Sequence, residues 1–293
     1  MPWLQLKIQT TRQHVDAIST LLTSLGALSV TWQDAANQPL FEPPPGQTPL
    51  WSDTLITGLY EAGQDMQQIG RLIEASLGNI VNHLRVEILE DKDWVREWME
   101  HYAPMQFGQD LWIVPSHHTP PRPDAVNILL DPGLAFGTGT HPTTAMCLTW
   151  LATHPPTGKQ VTDYGCGSGI LAIAAAKLGA NEVYAVDNDP QALLATRDNA
   201  RQNGVDAIIL VMGVHDEPVP DCDVLVANIL SGPLQILAKA FSEILRPGGK
   251  IALSGILKEQ ADDVMHAYAP WFNLQISQQQ EEWVLLTGQR HAH

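Results

Sequence analysis

Val161-Thr162-Asp163-Tyr164-Gly165-Cys166-Gly167-Ser168-Gly169-Ile170-Leu171 starts as an apolar strand, passes through three alternating glycines and enters a helix rich in alanine. Glycines are wanted where backbone approaches a ligand and takes φ > 0. The helix start that follows offers N–H groups and the positive end of its dipole. Such a loop suits a nucleotide-like ligand at the carboxyl edge of a sheet. The dinucleotide fingerprint G-x-G-x-x-G is not met, because Ile170 stands three residues after Gly167. One strand later, Val183-Tyr184-Ala185-Val186 ends at Asp187, eighteen residues beyond Gly169. A carboxylate at that strand end can accept both ribose hydroxyls, and Asn188 beside it is placed to contact an adenine. Asp189-Pro190 already supplies a cap and a first-turn proline for the next helix. Asp187 is therefore left for the ligand.

From about residue 126 onward, short apolar strands alternate with helices. The strands expected are Val126–Leu130, Val161–Tyr164, Val183–Val186, Ile208–Val211, Val224–Ala227, Ile251–Ser254 and Val284–Thr287. This pattern predicts an α/β domain over 126–293, its parallel sheet covered on both faces. Leu274–Ser277 and Trp283–Thr287 lie too close for a helix between them and read as a closing antiparallel pair. Residues 1–90 carry a different rhythm. Trp3, Leu4, Leu6 and Ile8 read as a strand, and Val15, Ile18, Leu21, Leu22 and Leu25 follow helical spacing up to Gly26. Leu28–Trp32 and Leu55–Tyr60 are strands, Met66–Leu77 is a helix ended by Gly78, and Leu84–Leu89 is a strand. The βαββαβ order predicts an α+β ferredoxin-like sandwich. Between the two, residues 91–125 read as a linker and hinge. Trp94, Val95, Trp98 and Tyr102 share one side of a helix, Trp112-Ile113-Val114 is a short strand, and Pro115 to Pro123 is irregular. His117 and His118 belong to that irregular loop, and no metal site is expected.

A chain of 293 residues accommodates these two domains. Sixteen Lys plus Arg stand against 32 Asp plus Glu, a net charge of −16. Such an excess repels phosphate backbones and suits a basic protein partner, so no direct nucleic-acid partner is expected. No apolar run approaches the ~20 residues needed to span a bilayer. The start MPWLQLKIQT lacks the features of a secretory signal, and Cys147, Cys166 and Cys222 show no CxxC spacing. A reducing cytoplasm is the expectation.

The D-x-G-x-G-x-G loop with its strand-end acid resembles the class I S-adenosylmethionine-dependent methyltransferases over residues ~126–293. Two further segments narrow this. In Leu130-Asp131-Pro132-Gly133-Leu134-Ala135-Phe136-Gly137-Thr138-Gly139-Thr140-His141-Pro142-Thr143-Thr144, Pro142 fits a first helical turn, so Thr143 and Thr144 lie where a carboxylate binds. In Ala227-Asn228-Ile229-Leu230-Ser231-Gly232-Pro233-Leu234, Asn228 closes the fourth main strand. Class I enzymes acting on nitrogen carry N/D-P-P-aromatic there. The missing prolines and aromatic favour an aliphatic amine over a stacked base.

With these strings the chain is similar, over nearly its whole length, to the family that methylates the eleventh protein of the large ribosomal subunit. The resemblance implies a Rossmann-like, seven-stranded, mostly parallel sheet, with the N-terminal domain binding the ribosomal protein. It implies S-adenosyl-L-methionine as cofactor and trimethylation of α-amino and lysine ε-amino groups. Phe136, Thr144, Gly165, Gly167, Asp187 and Asn228 take the cofactor positions. Asn228 is also the expected catalytic residue, accepting a hydrogen bond from the acceptor amine. His141 is the one candidate base, beside a plain role at its helix start. The partner expected is the basic ribosomal protein before assembly, bound more weakly as salt rises. The competing readings are a class I methyltransferase for another amine and a nicotinamide-dependent dehydrogenase.

Overall fold

The computed structural model describes residues 3–36, 38, 49–80, 82–89, 102–131, 137–216 and 218–292. The readings placed on Trp94, Val95 and Trp98, and on Phe136, lie outside these residues. The chain divides into two compact units, Met1–Glu97 and Trp98–His293.

In the first unit, alternation along β1 (Trp3–Thr11) buries Leu6 and Ile8 on one face. Helix α1 (Val15–Ser24) buries Val15, Ile18 and Leu22 at helical spacing, and Gly26 follows it at φ 91°. β2 (Ser29–Asp34) and β3 (Asp53–Glu61) come next. Asp65 caps α2 (Met66–Leu77) by accepting N–H bonds from Gln67 and Gln68 at 3.1 and 3.0 Å. β4 is Asn82–Leu89. The sheet is antiparallel in the order β2-β3-β1-β4. Ile69 and Ile73 of α2 join the core of Leu6, Ile8, Ile18, Leu22, Ile56 and Tyr60. This is the ferredoxin-like sandwich.

In the second unit, β5 (Met105–Phe107), β6 (Leu111–Val114) and β7 (Val126–Leu129) form a three-stranded sheet. Two expectations change here. Residues 105–125 are built into the larger unit and are not a connector: Leu111 and Ile113 are fully buried in its main core. Val126–Leu129 pairs with β6 in this small sheet and is not a strand of the large one. Pro115 to Pro123 is irregular, anchored by Ser116 N–H to Asp131 Oδ1 at 2.8 Å and by Arg122 to Asp110 at 3.0 Å.

The large sheet is built by α3 (Pro142–Thr153), β8 (Gln160–Tyr164), α4 (Ile170–Lys177), β9 (Glu182–Asp187), α5 (Pro190–Gln202), β10 (Ile209–Gly213), β11 (Cys222–Asn228), α6 (Ser231–Ile244), β12 (Leu245–Leu257), α7 (Ala261–Tyr268), β13 (Phe272–Gln280) and β14 (Trp283–Arg290). Its seven strands run in the order β10-β9-β8-β11-β12-β14-β13. β10 to β12 are parallel, and β14 is antiparallel to both neighbours. The expected closing pair is therefore present, with the later strand lying inside the earlier one. β8 to β10 build outward on one side, and β11 onward build on the other. The order reverses between β8 and β11, where ligands bind in open α/β sheets.

Candidate active site

At this switch point the glycine loop leaves β8. Gly165, Gly167 and Gly169 all have positive φ, at 80°, 54° and 79°. The N–H groups of Gly165 and Cys166 both donate to Val186 O, at 2.8 and 3.0 Å, which hooks the loop onto β9. Helix α5 holds the loop's carbonyls: Thr196 Oγ1 donates to Gly167 O at 3.0 Å and Asn199 Nδ2 to Ser168 O at 2.8 Å. A Cβ on Gly169 would come within 2.8 Å of Thr196 Cγ2, so backbone and helix touch directly. α4 is buried along Ala172, Ile173, Ala174 and Ala175, and small side chains let it lie close to its neighbours.

Asp187 ends β9 and is nearly buried. Its Oδ2 accepts from Gly167 N–H at 2.9 Å and its Oδ1 from Asp189 N–H at 3.0 Å. Asp189 caps α5 through Gln191 N–H at 2.9 Å, with Pro190 in the first turn, the division of work expected from the sequence. Asp187 is thus not idle in the fold. Each of its oxygens takes one backbone N–H and keeps lone-pair capacity for a ligand hydroxyl. Asn188, beside it, is exposed.

Asn228 ends β11, next to β8, and its Nδ2 donates to Thr144 Oγ1 at 3.1 Å. Thr144 is buried in the first turn of α3. Asn228 and Thr144 therefore meet, while Gly165, Gly167 and Asp187 meet on the adjoining strand ends. His141 is the N-cap of α3. Its Nδ1 lies 3.3 Å from Thr143 N–H and 2.7 Å from Thr143 Oγ1, and its ring meets Trp283 edge-on at 5.1 Å. Burial lowers its pKa, against the opposing pull of Glu281 and Glu282.

Three groups escaped the sequence reading. Asp163 is buried; its Oδ2 accepts Ala172 N–H at 2.9 Å, its Oδ1 has no hydrogen-bond partner among the described residues, and burial pushes its carboxyl up to about 7. Thr196 and Asn199 brace the loop from α5, and the only signal for them was two polar residues three apart on an inward helix face. Tyr102 O–H donates to Thr138 O and Ser168 Oγ to Gly137 O at 2.6 Å, tying the stretch after Phe136 to the site.

Glycines without room for a Cβ, a strand-end carboxylate and a helix start together fit an adenosyl ligand with a carboxylate tail. A family model described as "Ribosomal protein L11 methyltransferase (PrmA)" matches residues 2–291. The chain belongs to this family. The ribosomal protein L11 methyltransferase of Marinobacter nauticus is 52% identical over 299 residues, covering 99% of both chains. That of Shewanella amazonensis is 49% identical over the full length of both. Among solved structures, a ribosomal protein L11 methylase from Lactobacillus delbrueckii subsp. bulgaricus superimposes with a TM-score of 0.59 at 33% identity, covering 65% of this chain and all of that one. The fold is thus that of a class I methyltransferase, a transferase that uses S-adenosylmethionine.

Proposed function

We propose that this L11 methyltransferase family member moves methyl groups from S-adenosylmethionine to the α-amino group and lysine ε-amino groups of ribosomal protein L11. The observation that carries the amine reading is the Asn228 carboxamide, held by Thr144 at the switch point without the prolines and aromatic that would stack a base. When bound, S-adenosylmethionine supplies an electrophilic methyl on a sulfonium. Gly165, Gly167 and Asp187 hold its adenosyl part, and Thr144 with the start of α3 faces its carboxylate. Phe136 belongs to the same set through the family resemblance.

The acceptor must arrive neutral. A lysine of pKa ~10.4 at pH 7 costs roughly 4–5 kcal/mol to deprotonate, whereas an α-amino group near 7.7–8.0 costs about 1. Exclusion of water around the amine lowers the first of these costs. With Nδ2 engaged by Thr144, Asn228 Oδ1 is the part suited to accept a hydrogen bond from the amine and aim its lone pair. We read Asn228 as the catalytic residue and His141 as the cap. The net charge of −16 steers a basic substrate, which we take to be L11 before assembly, with the ferredoxin-like unit as its recognition module.

Intact-mass measurement of L11 incubated with enzyme and labelled cofactor tests this directly. Stepwise additions on amines are expected, and Asn228→Ala should lower turnover by more than it lowers cofactor affinity. His141→Ala should cost about 1 kcal/mol of stability through the lost cap and leave turnover near normal. Near-normal turnover in Asn228→Ala removes the catalytic assignment, and binding that does not weaken at high salt removes the electrostatic one.

A further inference from the structure

β8 and β12 flank β11. Tyr164 pairs with Ala227 and Ser254 with Asn228, so the residues that follow, Gly165 and Gly255, stand at the level where β11 ends. Both have positive φ, +80° and +82°. Both also face Ile229, from opposite sides. A Cβ on Gly165 would lie 2.2 Å from Ile229 Cγ2, and a Cβ on Gly255 would lie 2.3 Å from the Ile229 carbonyl oxygen and 2.7 Å from its carbonyl carbon. The first contact is with a β-branched side chain, stiff about χ1. The second is with backbone, which yields only if the strand end moves. The β12–β14 register slips between Leu253 and Ile256, around Gly255, and a bulge of this kind re-aims a strand end. Ile229 further packs against the core cluster that holds Leu225, Ala227 and Leu253.

We infer that Ile229 is a positioning residue: seated between two positions that lack a Cβ, it fixes the backbone from which Asn228 projects and acts on methyl transfer through that carboxamide. This rests on the reading of Asn228 given above. Gly255, remote in sequence from the glycine loop, belongs to the same device. A residue that only filled space would change stability when truncated and leave the transfer step alone.

The test measures kcat and KM for S-adenosylmethionine, with ribosomal protein L11 as acceptor, in Ile229→Ala, Ile229→Val, Gly255→Ala and Asn228→Ala, at a temperature where circular dichroism shows each one folded. Ile229→Ala is expected to lower kcat by about 10-fold or more with KM for the cofactor within about twofold, since small misplacements cost this much. Ile229→Val should recover most of the loss, and Gly255→Ala should share the signature of Ile229→Ala. The double variant Asn228→Ala/Ile229→Ala should be no slower than Asn228→Ala alone, because both act through one group. Normal kcat in Ile229→Ala beside a loss in Asn228→Ala overturns the inference and leaves the site reading intact, as do fully additive losses. Normal kcat in Asn228→Ala overturns the site reading itself. If Gly255→Ala does not fold, the two Ile229 variants carry the test.

Discussion

Two turns leave neighbouring strand ends at the switch point, and they are held in different ways. The Gly165–Gly169 turn is held by directed polar bonds: two N–H groups to Val186 O, one to Asp187, and two carbonyls to Thr196 and Asn199. In the turn after Asn228, Ile229 is lodged against Gly165 and Gly255, and Asn228 bonds Thr144. A cradle for a ligand that enters and leaves each cycle needs N–H groups in fixed directions. On the proposed reading of Asn228, an acceptor amine that grows with each methyl would need a firm back and an open front. Steric seating from behind would provide that without occupying the polar atoms such an amine requires.

Substitutions that strike one turn and spare the other sharpen this contrast. Gly165 belongs to both, so Gly165→Ala should have the largest effect. A Cβ there meets Ile229 and strains a positive φ, and methyl transfer to L11 should fall at least about 100-fold, with cofactor affinity falling too. A variant that loses only one of the two properties would show that the turns are not joined at this residue.

Asp163 anchors the cradle from below. Its ordinary pKa of 3.8 rises to about 7 through burial, opposed by the Ala172 N–H bond and reinforced by Asp187. Between those values the folded protein holds a proton that the unfolded chain has released. Its contribution to stability is therefore full below about pH 4 and is lost as pH rises to about 7, by at most about 4 kcal/mol. Asp163→Asn should flatten that part of the thermal-midpoint profile; an unchanged slope would assign the titration elsewhere.

Asp187→Ala touches only the polar turn. Calorimetry should show S-adenosylmethionine binding weakened by about 30-fold, roughly 2 kcal/mol, for the lost charged acceptor. Thr196→Val removes a single brace, so a loss of about 1 kcal/mol in stability and a few-fold in cofactor affinity is expected. An effect on kcat alone in either variant would erase the distinction between the turns.

The elements of the first unit were legible because their periods are clean: Leu6 and Ile8 alternate, and Val15, Ile18 and Leu22 repeat on one helix face. The glycine loop, Asp187 and Asn228 were legible because residue types that bind ligands stood at strand ends. The small sheet of β5, β6 and β7 was legible only in part: Trp112–Val114 and Val126–Leu130 read as strands, while β5 and the pairing of all three apart from the large sheet did not show. Its strands are three or four residues long, below the length at which a period declares itself. The Asp163 carboxyl looked like part of a motif, and only burial on all sides gives it its raised pKa. Gly255 was invisible for another reason: it lies against Ile229, a residue just past the end of a different strand. Such pairings are properties of three-dimensional contact, and no local pattern encodes them.

The position of β14 carries a consequence for how the protein comes into being. Residues 283–290 lie between β12 and β13, both made earlier in translation. Until this segment emerges, β12 keeps an unpaired edge and β13, which among the described strands pairs with β14 alone, has no partner, a template for mispairing with other chains. Pairing of β14 with β12 and β13 is then the step that joins β13 to the sheet, and products interrupted before it should be handled by chaperones and proteases.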